Sequence, residues 1–328
     1  MKNLYHVSAS PHVRSSVTTA GIMRDVVIAL APACLFGIVQ FGFRALLVLL
    51  VSVTSCVISE YLFYKFSKRK KGPYECSAIV TGLLIGMNLP AGIPLWMPVI
   101  GSAFAIIVVK ELYGGLGQNF MNPALAARCF LLICFASQMA SFAVEKGSGV
   151  FMNGIASVDG LSSATPLAVL KEGVGETSLF DMFFGFTGGV IGETSALLLL
   201  LGAAYLVVRG VISLRIPLAY LGSFAVFVLL FSGHGFDLTY LAKQLCGGGL
   251  MLGAFFMATD YVTSPVTPVG RIVFGICLGI LTGIFRIFGG SAEGVSYAII
   301  FCNLLVPLIE KYTMPRAFGK GGKQYVRK

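Results

Sequence analysis

Apolar stretches recur along the chain from Val26 to Ile309, each closed by a short polar turn. Crossing a bilayer takes roughly 20 predominantly apolar residues, and fewer where a helix is broken inside protein. On that basis the pattern predicts ten spans, over residues 26–42, 44–64, 76–90, 94–110, 120–142, 183–208, 216–232, 241–258, 271–288 and 295–310. A single interval, 143–182, is long and polar enough to make a substantial loop. The expected organisation is therefore an arm (1–25), five spans (26–142), the loop (143–182), five further spans (183–310) and a basic tail (311–328).

Composition agrees with lipid as the main solvent. Of 328 residues, 56% are hydrophobic and 12% charged, about half the charged share of an ordinary soluble domain. The net charge of +10 does not read as a nucleic-acid footprint, because Lys and Arg gather in short loops beside apolar runs. There they act as orientation signals. The loop "KFSKRKKG" at 65–72 and the tail are the densest clusters. Placing them in the cytoplasm puts the arm there too, and Lys110, Arg209, Arg215 and Arg271 follow. An even number of spans then gives N-in and C-in ends, and the 143–182 loop emerges outside. No apolar signal segment opens the chain. The eight cysteines are scattered without a CxxC pair, so no metal centre is expected from this chain.

A weak repeat runs through the two halves. "GLLIGMNLPAGIPLW" leads into a span ending "ELYGGLGQ", and "LGAFFMATDYVTSPVTPVGR" leads into one ending "RIFGGSAEG". Five spans per half is an odd number, so two equivalent halves have opposite orientations. The fold class expected is an all-α polytopic membrane protein, with about ten transmembrane helices in two inverted five-helix repeats with broken helices. Transporter-like folds place polar sites at such breaks.

Polar residues inside apolar spans are costly and mark candidate sites. Asn88, with Pro90 and Pro94, lies at the first break; Asp260 and Thr263, with Pro265, lie at the second. Backbone carbonyls freed there are a speculative ion path, against the alternative of helix caps. Arg128, with Asn119 and Asn122, lies early in the fifth span. It either needs a carboxylate or phosphate partner or snorkels to the headgroups. Glu60, Glu111 and Glu193 have similar status, and His234 reads as a surface-loop residue.

The hydroxyl-rich stretch "DGLSSATPL" in the outer loop fills the pattern D-x-x-S/T-x-A-T, with Asp159, Ser162, Ala164 and Thr165 at its positions. A flavin transferase attaches FMN at such a pattern. A hydroxyl nucleophile needs an accessible loop; Asp159 and Ser162 can build local turns that present Thr165, and Pro166 biases it to extended backbone. Together with "SPHVRSSVTTAGIMRDVVIALAPA", "GLLIGMNLP" and "MATDYVTSPVTP", the whole chain resembles the NqrB/RnfD family of membrane subunits. Its length, without a long N-terminal extension, favours the RnfD branch of the Rnf ferredoxin:NAD oxidoreductases.

That resemblance implies a subunit that carries electrons between ferredoxin and NAD, coupled to Na⁺ or H⁺ translocation, and is not catalytically complete alone. It implies FMN joined by a phosphoester to Thr165, and a second, non-covalent flavin such as riboflavin nearer the cytoplasm. Expected partners are the other Rnf subunits, especially an RnfG-like subunit with its own covalent FMN, a flavin transferase for maturation, and membrane lipid. The expected location is the bacterial cytoplasmic membrane, multi-pass. The competing reading is a non-redox solute channel or transporter on the same repeat, which has no use for "DGLSSATPL".

Overall fold

A computed structural model describes residues 17–67, 76–142, 165–172, 178–193, 195–233, 235–289 and 294–315. Among them every regular element is helical. The first half holds α1 (Thr19–Phe41), α2 (Phe43–Ser67), α3 (Ser77–Met87), α4 (Trp96–Ala103, running on as a π-helix over Phe104–Glu111), α5 (Pro123–Cys134) and α6 (Ala136–Met139). Then come α7 (Pro166–Glu172), α8 (Leu179–Phe184), α9 (Ala196–Val208), α10 (Arg215–Phe231) and α11 (Leu238–Cys246). The chain ends in α12 (Leu250–Leu252, running on as a π-helix over Gly253–Met257), α13 (Pro268–Ile287) and α14 (Val295–Thr313).

Four of these helices, α1, α2, α13 and α14, are long and apolar enough to cross a membrane. Their surfaces keep large apolar side chains exposed, such as Leu35, Val39, Leu50 and Ile58. Exposed leucine at that density is unfavourable in water and neutral in lipid. The helices instead meet through small residues, as membrane helices do. Among the described residues α10 and α13 pack extensively, where Gly275, Gly279 and Gly283 recur every fourth residue. A Cβ at Gly279 would lie 2.6 Å from the backbone of Tyr220 and Phe224. Tyr220 Oη and Thr282 Oγ1 pair across the same seam at 2.7 Å.

Several expected spans are interrupted. Span 183–208 divides into α8, an irregular stretch over 185–193, and α9. That stretch runs back into the core and pairs with the break after α3. Gly192 N–H donates to Met87 O at 2.7 Å, Ile191 N–H donates to Leu89 O at 3.2 Å, and Pro90 bridges Val190. These bonds supply partners for backbone that α3 leaves unpaired at its end. A Cβ at Gly192 would lie 2.5 Å from Met87 Cβ, so the approach depends on glycine. Span 241–258 likewise breaks at 247–249, where Gly248 has φ 64°. Span 120–142 breaks at Phe135. Hydropathy registers apolar composition, and glycine-rich irregular backbone in a protein core has that composition too.

Candidate functional site

Thr165 opens α7. Its Oγ1 accepts from Ala168 N–H at 3.3 Å, and its carbonyl accepts from Val169 N–H at 3.1 Å. The residue therefore caps the helix that begins at Pro166, in place of the accessible loop hydroxyl expected from sequence. It is also buried, 8% exposed. The cause is Leu167, 2% exposed, which packs on the glycine break: a Cβ at Gly247 would lie 2.5 Å from Leu167 Cδ1. Thr165 faces a cavity of about 20 Å³ with Thr187, Gly188, Glu193, Cys246 and Gly248 in its wall. Asp159, Ser162 and Ala164 lie outside the described residues, as does His234.

Glu193 connects that cavity to the interior. Its Oε1 is 3.0 Å from Arg128 Nη1, and the two side chains are 4% and 6% exposed. Arg128 Nη1 also donates to Asn88 Oδ1 at 2.7 Å, while Asn88 Nδ2 donates to Leu84 O at 2.6 Å and lies 3.9 Å from Met257 Sδ. Of the two sequence alternatives for Arg128, the carboxylate partner is the one realised. Sequence reasoning flagged Arg128, Glu193 and Asn88 separately. Nothing in their spacing pairs them, because the 185–193 stretch carries Glu193 inward.

A second cavity, of about 90 Å³, is lined by Met23, Lys110, Asn119, Asn122, Phe256 and Asp260 among others. Lys110 is held by Glu60 and Ser77, each at 2.7 Å, with Glu111 at 3.7 Å. Asn122 caps α5, accepting from Ala124 and Leu125 N–H, and Nδ2 reaches Met257 O at 3.5 Å. Asn119 Nδ2 donates to Met121 O at 3.2 Å, yet its buried Oδ1 has no partner.

The second sequence break curls into a turn. Asp260 accepts from Val262 N–H and Thr263 Oγ1, both at 3.2 Å. Burial pushes its carboxyl above the usual range, opposed by those two donors. Asp260 and Thr263 are thus bonded to each other, and no hydrogen bond joins Asn88 to either of them among the described residues. Asn88 is instead committed to a cation, Arg128. The described residues contain no cluster of His, Cys, Asp or Glu fit for a metal ion.

The two cavities lie toward opposite ends of α13. Arg271, in its first turn, donates to Pro265 O at 3.1 Å beside the Asp260 turn. Arg286, in its last, donates to Gly247 O at 2.9 Å beside the Thr165 cavity. Fifteen residues of helix separate them, roughly 22 Å.

Comparison with known proteins gives a consistent result. The family model described as NQR2, RnfD, RnfE family matches residues 6–319. The chain is 46% identical to the D subunit of the Na⁺-translocating ferredoxin:NAD⁺ oxidoreductase complex of Acetobacterium woodii, over 95% of each chain. It is 39% identical to the D subunit of the proton-translocating ferredoxin:NAD⁺ oxidoreductase complex of Clostridium ljungdahlii, over 97% of each. It is 36% identical to the D subunit of an ion-translocating oxidoreductase complex from Actinobacillus succinogenes, over 97% of this chain and 99% of that one.

Proposed function

The chain belongs to the NQR2, RnfD, RnfE family, and from that premise we propose that it is the membrane subunit of an ion-translocating ferredoxin:NAD oxidoreductase complex, carrying FMN on Thr165. It works with the other subunits of that complex, an RnfG-like flavin subunit among them, and needs a flavin transferase to mature. The FMN supplies reversible electron uptake and release; the protein positions it.

The observation that carries the reading is Thr165 itself: a hydroxyl at the mouth of α7, ending a D-x-x-S-x-A-T pattern, beside a cavity walled by glycines. The residues fit a phosphoester at Oγ1, since an ester oxygen can still accept from Ala168 N–H. The cavity itself holds about one water, so the bulk of the cofactor extends beyond it.

The 90 Å³ cavity has the chemistry to take one edge of the non-covalent flavin, the rest of that molecule extending beyond it. Its walls are apolar, with a few convergent polar groups, the usual form of a small-molecule site. Asn119 Oδ1, buried and unpartnered, fits a ring N–H donor. Basic loop placement supports the Lys110 end as cytoplasmic and the Thr165 end as extracytoplasmic, so electrons crossing this subunit traverse most of the membrane.

The packing supports two inverted five-helix units: α1 meets α9 and α5 meets α14 between halves, while α2 with α3 and α4, and α10 with α13, pack within them.

Peptide mass spectrometry after co-expression with a flavin transferase tests the reading. The expected result is FMN mass on the peptide containing Thr165, absent in Thr165→Ala and partly retained in Thr165→Ser. An unmodified Thr165 under those conditions would overturn it.

A further inference from the structure

Resting on the reading of Thr165 as the flavin-bearing residue, we infer that the pyrimidine edge of the attached ring binds in a third cavity beside α7, against Gln244, Lys171 and Arg286. Space around Thr165 is short. The 20 Å³ there accommodates about one water, and a phosphodiester with two free oxygens is larger than that. Whatever is joined to Oγ1 must leave this cavity. Along the same helix lies a cavity of about 140 Å³, with Leu167, Leu170 and Lys171 of α7 on one side and Tyr240, Gln244 and Arg286 on the other. From Thr165 to Lys171 is six residues of helix, about 9 Å, comparable to an extended ribityl phosphate.

The chemistry of the walls matches a flavin edge. Gln244 is 5% exposed. Its Nε2 donates to Tyr240 Oη at 3.1 Å, and its Oε1 has no partner. A buried polar atom left unpaired is destabilising, and a ligand donor removes that penalty. The pyrimidine edge of isoalloxazine alternates carbonyl acceptors with a ring N–H, so it complements a primary amide in either amide orientation. Leu167 and Leu170 offer an apolar face for the ring plane.

The cations set the electrical character of the cavity. Arg286 is 4% exposed; it donates to Gln244 O at 2.5 Å and Gly247 O at 2.9 Å, and its guanidinium carbon sits 5.3 Å from the Phe224 ring centroid. These contacts fix its charge at the cavity wall. Lys171 is exposed and also donates to the Gly289 carbonyl. Positive charge beside the pyrimidine edge stabilises the ring when reduction places negative charge there, so it raises the midpoint potential.

The test uses full-length protein co-expressed with a flavin transferase, as wild type, Lys171→Gln and Gln244→Leu. The signal of the Thr165-bound flavin is taken as the difference from Thr165→Ala. Both variants should keep FMN mass on the Thr165 peptide. Lys171→Gln should shift the midpoint potential of that flavin to more negative values, and Gln244→Leu should lower its fluorescence anisotropy in the native protein. Lys171 is solvent-exposed, so its variant folds even if Gln244→Leu does not. Labelled variants with wild-type potential and anisotropy would overturn the inference while leaving the attachment intact. Loss of label from folded Lys171→Gln would also overturn it, by placing the lysine in attachment. Absence of FMN on wild-type Thr165 removes the attachment reading itself, before any potential is measured.

Discussion

Neutralising one partner of the Arg128–Glu193 pair should destabilise the protein far more than neutralising both. The two charges are almost fully buried, at 3.0 Å. With an effective dielectric of about 20, that separation gives an attraction of about 5 kcal/mol, set against several kcal/mol of desolvation for each ion. Glu193→Gln leaves a buried guanidinium without its carboxylate; Arg128→Gln leaves a buried carboxylate at the Thr165 cavity. Each single change should cost about 3–5 kcal/mol. The double change leaves two amides of suitable reach that can pair with each other and with Asn88, and should cost much less than the sum. The assay is a double-mutant cycle on detergent-solubilised protein, reading the folded fraction by size-exclusion fluorescence across a denaturant series. A coupling of at least about 2 kcal/mol is expected, within the range for residues in direct contact. Additivity within about 0.5 kcal/mol, the behaviour of independent sites, would refute the claim that the pair joins α5 to the 185–193 stretch.

Three further outcomes are open to direct measurement. Thr165→Val should lose about 1 kcal/mol through the missing α7 cap, seen as a lower denaturant midpoint in protein that was never flavinylated; an unchanged midpoint would mean the cap contributes nothing. Gly279→Leu should separate α10 from α13 and cost well over about 1 kcal/mol by overpacking, whereas Gly222→Leu, with nothing within 4 Å of its Cβ position, should be silent; equal effects would contradict the seam. Asp260→Ala should leave FMN on Thr165 while weakening ion-dependent turnover of the assembled complex, and unchanged ion dependence would remove Asp260 from the ion path.

What the sequence made legible follows from which forces are local. Lipid-facing helices such as α2 and α13 are visible because every turn meets the same solvent, so their apolar runs are unbroken. Asn122 before Pro123 and Thr267 before Pro268 cap their helices by local residue chemistry, a signal that the expected span starts at 120 and 271 passed over. The D-x-x-S-x-A-T pattern that ends at Thr165 is likewise a local property. Its burial is not local: Leu167 reaches a socket made by Gly247, far along the chain. The same holds for Glu193, whose segment looks in sequence like the start of a span because its backbone groups are paired with Met87 and Leu89 and so require no polar side chains of their own. An irregular core segment with paired backbone and glycine at its contacts is indistinguishable by hydropathy from a helix. Charge gives the discriminating clue. A lone arginine and a lone glutamate, both placed within apolar runs, are each too costly to stay unpaired in lipid. Their joint presence called for a pairing, and the irregular stretch over 185–193 provides it.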